Sequence, residues 1–160
     1  MTRIPLAVAV TLGVCLLGCG QREDASQTPP SSRLFNASYE RAWNAAKRVL
    51  TETGYTISSA DQARGLLVAQ RNYQDADVAV YAGDPIASVQ AMWWGLEARM
   101  IVSVKTESAY RTRIAISTTL VGRANPTVPD KRRAGSAATP LRSNGKLERE
   151  LWKQLYRDLI

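Results

Sequence analysis

Two stretches of the chain alternate apolar and polar residues one by one. Over residues 96–105, Leu96, Ala98, Met100, Val102 and Val104 interleave with Glu97, Arg99, Ser103 and Lys105. Over residues 111–121, Ile114, Ile116, Thr118 and Leu120 share one side, against Arg111, Arg113, Ser117 and Thr119. Side chains on a strand point to alternate faces, so this pattern predicts two antiparallel strands with one dry face and one wet face. A short turn near Glu107, Ser108 and Ala109 joins them. An earlier pair is predicted over residues 55–59 and 66–73. Its connection, Asp61-Gln62-Ala63-Arg64-Gly65, opens on an Asp and closes on a Gly that allows positive φ.

Two other stretches carry the helical period. Tyr39, Trp43, Ala46, Val49 and Leu50 recur on one face, with Arg41, Lys47, Arg48 and Glu52 on the others. Ser38 is placed to cap this helix, Glu40 lies in its positive first turn, and Gly54 is the expected stop. Near the end of the chain Leu147, Leu151, Leu155 and Leu159 sit four apart, and Trp152 widens their stripe. Lys146, Arg149, Lys153 and Arg157 occupy the outer faces, and Ser143 or Asn144 begins the helix. The leucine stripe reads as packing on the sheet rather than on a membrane surface. Two amphipathic helices and a one-sided sheet bury each other's apolar faces. The predicted fold is therefore a single α+β domain over residues 34–160, of order α-β-β-β-β-α. An antiparallel four-stranded sheet is packed by an N-terminal and a C-terminal helix.

Two connections interrupt this scheme. Between the strand pairs, residues 78–82 read as a further strand piece, and Asp84-Pro85 suits the start of a short helix over 85–92. Residues 122–142 hold Pro126, Pro129, Pro140 and the run Lys131-Arg132-Arg133. That stretch is too long and polar for a tight connection and reads as a basic, solvated loop.

Ahead of residue 34 the pattern changes. Arg3 is followed by a nearly continuous apolar run over residues 4–17, short of the ~20 residues a membrane-spanning helix needs. Its length and flanks suit the apolar region of an export signal. It ends on Leu16-Leu17-Gly18-Cys19, which resembles the lipobox of bacterial lipoprotein signal peptides. The resemblance implies that residues 1–18 are removed, that the Cys19 thiol receives a diacylglyceryl group, and that the new amino terminus is acylated. Gly20, rather than Asp, follows the cysteine. By the sorting rule of that family this implies the outer membrane, on the leaflet facing the periplasm. Residues 19–33 are polar, contain Pro29-Pro30 and have no apolar period, so they read as a lipidated, flexible tether.

Composition then narrows the chemistry. The chain has no histidine and two cysteines. Cys15 lies in the segment to be removed, and Cys19 is spent on the lipid. Ser-His-Asp and Cys-His catalysis and imidazole or thiolate metal sites are thereby excluded. No nucleophile elbow, phosphate-binding loop or dinucleotide fingerprint is present. Asp75, Asp77 and Asp84 lack calcium-loop spacing and read as solvated loop residues, so no metal and no cofactor is expected. The formal charge of +7 favours anionic partners such as acidic lipid or cell-wall polymers. Nucleic acid is not expected, because an exported lipoprotein rarely meets it.

The candidate contacts are Trp93-Trp94 and the run Lys131, Arg132 and Arg133. Adjacent strand residues face opposite ways, so one tryptophan can enter the core while the other offers a surface for a protein partner or a sugar ring. The plainer reading is that loops or the C-terminal helix cover both. The basic run reads as a solvated loop, or as an arm touching anionic lipid or cell wall.

One longer pattern carries a resemblance. Tyr39-x3-Trp43-x6-Leu50-x3-Gly54-Tyr55, followed by Asp61-x3-Gly65-Leu66-Leu67, resembles the opening of domains in small envelope lipoproteins. It is similar to the helix-grip domains of BamC, a lipoprotein of the outer-membrane β-barrel assembly machinery. The resemblance implies a helix-grip-like fold and a non-enzymatic binding role, with an envelope protein as partner. It assigns no individual functional residue. The expected function is that of an accessory or scaffold in envelope assembly or maintenance. The alternatives are a cell-wall or anionic-lipid-binding module and a carboxylate-based envelope hydrolase drawing on Asp75, Asp77, Asp84 and Glu97.

Overall fold

The alternating stretches form a long hairpin, β4 (Trp93–Ser108) and β5 (Arg111–Ala124), that runs beyond the alternation at both ends. A computed structural model describes residues 31–83, 93–124 and 138–160. The remaining elements are β1 (Ser31–Phe35), α1 (Tyr39–Glu52), β2 (Thr56–Asp61), β3 (Leu66–Gln74), α2 (Asp75–Tyr81), β6 (Ala138–Leu141) and α3 (Lys146–Leu159). The sheet order is β2-β3-β4-β5-β1, with β6 also on β5, and every pairing is antiparallel. The α+β class and the antiparallel sheet are as expected.

The sheet has six strands among the described residues, not four. The additions are β1 and β6, which lie end to end along one edge of β5. β1 pairs with Thr112 to Ile116, and β6 with Leu120 to Arg123. Neither is long enough to show an alternation. β1 takes up residues 31–33, which were expected to be tether, and it is pinned by its last residue. Phe35 is buried and stacks near Trp152, with ring centroids 6.2 Å apart. The guanidinium of Arg33 lies 5.8 Å from the same indole. β6 inserts Leu141 into the core from a stretch expected to be loop. Residues 78–82 are also not a strand. Val78 to Tyr81 belong to α2, and only Ala82 makes an isolated bridge, to Ser143. The Asp77 carboxylate accepts from the Gln74 N–H and favours this helix start. The helix expected over 85–92 lies outside the described residues.

The helical faces behave as read, but α3 begins later than expected: Gly145, with φ +78, is its N-cap, and Ser143 and Asn144 lie ahead of it, accepting from the Gly145 and Lys146 N–H groups. Ser38 Oγ accepts from the Arg41 N–H at 3.3 Å. Thr53 is the C-cap of α1, and Gly54 turns the chain with φ +82 while Tyr55 N donates back to Leu50 O. α3 buries Leu147, Leu151, Leu155 and Leu159, together with Trp152. Its leucine stripe therefore faces the core formed with the dry side of the sheet, where Met100, Ile114, Ile116 and Leu120 are fully covered. Arg48 on α1 and Asp158 on α3 close the outer seam between the helices, at 2.8 Å. Among the described residues no helix is long and apolar enough to cross a membrane.

The residues of the lipoprotein-like pattern do local work. The Tyr39 hydroxyl donates to the Gln62 carbonyl, tying the helix start to the β2–β3 turn. Asp61 Oδ1 accepts from the Arg64 N–H at 3.0 Å. Gly65 has φ +65, and a Cβ there would stand 2.0 Å from the Val104 carbonyl oxygen. Val104 N in turn donates to Gly65 O at 2.7 Å, so the turn packs directly on β4.

Candidate functional site

A cleft lies at the start of β4. Trp93 pairs with Ala124 and Gly95 with Arg123, which leaves Trp94 as an extra residue without a cross-strand partner. Such a bulge redirects the side chain it carries. Trp94 is 64% exposed, an unusual placing for the largest aromatic. Gly95 beside it is needed for close approach, because a Cβ there would lie 2.8 Å from the Tyr73 carbonyl oxygen.

The result is a cleft of about 230 Å³ lined by Asn72, Gln74, Trp94, Gly95 and Arg123, with Tyr73 and Leu96 behind them. Asn72 and Gln74 come from the wet face of β3, opposite Glu97 and Gly95 respectively. Arg123 Nη2 donates to Glu97 Oε2 at 2.8 Å. The cleft thus spans three strands and offers one flat ring, two amides and a guanidinium already paired with a carboxylate.

Its support is aromatic. Tyr73 and Tyr55 join through their hydroxyls at 3.3 Å, Tyr73 lies 4.8 Å from Tyr81, and the Arg71 guanidinium sits 4.5 Å over the Tyr73 ring. Burial holds the Tyr55 and Tyr73 hydroxyls above the ordinary tyrosine range. Their mutual hydrogen bond raises Tyr55 further and pulls Tyr73 the other way. Both are neutral hydrogen-bonding groups at ordinary pH, and they brace the strand that carries Asn72 and Gln74.

The residues singled out from sequence fall unevenly. Trp94 lines the cleft. Trp93 begins β4 by pairing with Ala124. Cys19, Asp84, Lys131, Arg132 and Arg133 lie outside the described residues. Asp75 opens α2, Asp77 caps it, and Glu97 is held by Arg123. Among the described residues no group of three or more Asp, Glu, His or Cys is gathered to hold a metal ion. Asn72, Gln74 and the pairing of Arg123 escaped the sequence reading. The alternation over 66–73, carried one step further, places Asn72 and Gln74 on the wet face. It cannot show that they meet Trp94.

No family model matches the chain, and no curated protein matches it. Among solved structures it is similar to the ZhuI aromatase/cyclase from Streptomyces sp. R1128, at 14% identity and a TM-score of 0.33, over 82% of this chain and 86% of that one. A likeness this distant carries no functional argument.

Proposed function

We propose that the protein is a membrane-tethered periplasmic lipoprotein that acts by binding, as an accessory or scaffold in outer-membrane assembly or maintenance. The observation that carries this reading is the lipobox Leu16-Leu17-Gly18-Cys19, followed by a polar stretch and then a folded domain. A lipid at Cys19 confines the domain near the membrane and raises its effective concentration for neighbours there. One acyl chain binds a bilayer only marginally, whereas the several chains of this lipoprotein class hold essentially permanently. The helix-grip-like reading draws support from two 14-residue helices packed on an antiparallel sheet, to which β1 and β6 add strands beyond the four expected. A non-enzymatic role is supported by the lack of histidine and by the engagement of Glu97 and Asp77 in structural contacts.

Metabolic labelling with a radioactive or clickable fatty acid tests the anchor. The wild-type chain is expected to incorporate label and to sediment with outer membrane. Cys19→Ser is expected to abolish both; persistent labelling would refute the assignment. Deleting residues 125–137 tests the alternative in which Lys131, Arg132 and Arg133 bind cell wall or anionic lipid. Unchanged association with both would remove it.

A further inference from the structure

We propose that the Trp94 cleft is a saccharide-binding site that takes an uncharged sugar ring of a glycan chain. The inference deepens the binding role proposed above by naming a ligand class.

Four features point to this chemistry. Trp94 presents a flat, mostly exposed indole at a bulge, and the C–H face of a pyranose stacks on such a surface. Asn72 and Gln74, two residues apart on β3, line the same cleft. Their amides donate and accept without charge, as ring hydroxyls and acetamido groups require. Arg123 is already paired with Glu97 at 2.8 Å, so an incoming anion would have to compete with a carboxylate in place. The pair offers further donors and acceptors while remaining neutral as a unit. Finally, Gly95 lets β3 and β4 approach closely, since a Cβ there would stand 2.8 Å from the Tyr73 carbonyl oxygen, and its pairing with Gln74 sets that amide beside Trp94 in the cleft.

Two other occupants fit less well. A polyanion would be expected to meet unpaired cations, and the guanidinium in this cleft is paired. An apolar helix or a hydrophobic protein face would need more apolar surface than one indole ringed by amides and an ion pair provides.

The test uses the full-length protein in detergent and titration calorimetry with neutral tetrasaccharides of N-acetylglucosamine, glucose and galactose. Saturable binding of at least one is expected, with little change between low and high salt. Trp94→Ala is expected to weaken it at least about tenfold, the size of a central aromatic contact. Trp94→Phe, which keeps a ring, should lose only a few-fold. The double change Asn72→Ala with Gln74→Ala should weaken binding while leaving Trp94 in place. Thermal melts of each variant check that the fold is intact, and the two sets of changes lie on different strands. Absence of saturable binding to all three sugars would overturn the proposal. So would binding that Trp94→Ala leaves unchanged, or binding that collapses with salt and so reports a charged ligand. Acyl labelling at Cys19 is scored separately, so failure here leaves the tether standing, and failure there leaves the cleft standing.

Discussion

Gly65 shows how much can rest on a missing side chain. Its positive φ and the 2.0 Å approach of the Val104 oxygen to a would-be Cβ leave no room for any other residue. Gly65→Ala is expected to destabilise the fold by more than about 1 kcal/mol, since strain and clash add. A lowered denaturant midpoint at unchanged slope would check it. The sequence disclosed this position as a turn, because Asp61-x3-Gly65 has local turn chemistry. It did not disclose that β4 lies against it. Tyr55 gives a pH prediction. Its hydroxyl titrates above the ordinary range because it is buried, so above pH ~10 the unfolded chain releases a proton that the folded chain keeps. Stability from this group is therefore fully present below pH ~10 and is lost as pH rises beyond it. In denaturant titrations between pH 8 and 11.5, Tyr55→Phe is expected to show the shallower alkaline decline. Trp94 was visible as one of an unusual pair. Its exposure depends on a bulge, and a bulge is a matter of register between strands that no local pattern encodes.

Elements were legible in proportion to their periodicity. The hairpin β4–β5 and the helices α1 and α3 each bury one face and expose another, and that division is written into their order of residues. β1 and β6 are short and carry one anchoring apolar side chain each, Phe35 and Leu141, so they could not be told from tether and loop. α2 buries Val78 completely but is only seven residues long, two turns in which a helical period cannot declare itself. The reading of the Leu147 to Leu159 stripe as core gives a sharp contrast. Leu155→Ala is expected to cost about 2–5 kcal/mol, as a fully buried leucine leaves a cavity. Lys153→Ala, on the exposed side, should stay within about 0.5 kcal/mol. Equal effects in chemical denaturation would contradict the packing described for α3.

At the scale of the molecule, the sheet divides its labour. One face carries the helices and the core. The wet face carries, at one end, the Trp94 cleft, assembled from β3, β4 and β5. The sequence supplied the class of fold and the polarity of each face. It could not supply the cleft, whose members are up to 51 positions apart between Asn72 and Arg123 and meet only through strand order and register. The other end-to-end arrangement, β1 and β6 along β5, has its own energetic signature. Phe35→Ala removes the ring that holds β1 against Trp152 and Tyr156 and is expected to cost about 3 kcal/mol or more. A thermal melt compared with Leu34→Ala, which alters a partly exposed neighbour, would check it.

The placing of β1 also has a mechanical consequence. Ser31 is the first described residue, and among the described residues β1 pairs with no strand except β5. With the lipid proposed at Cys19, drag on the domain would load that five-residue ladder. Pulled outward from the edge, it opens rung by rung from Ser31 and Ile116 toward Phe35. The last rung is the one clamped by aromatic rings, so the strand behaves as a fuse whose strongest link lies deepest. If the proposed lipid at Cys19 holds the domain, Phe35, whose ring meets Trp152 and Tyr156, is the residue expected to resist such a load most.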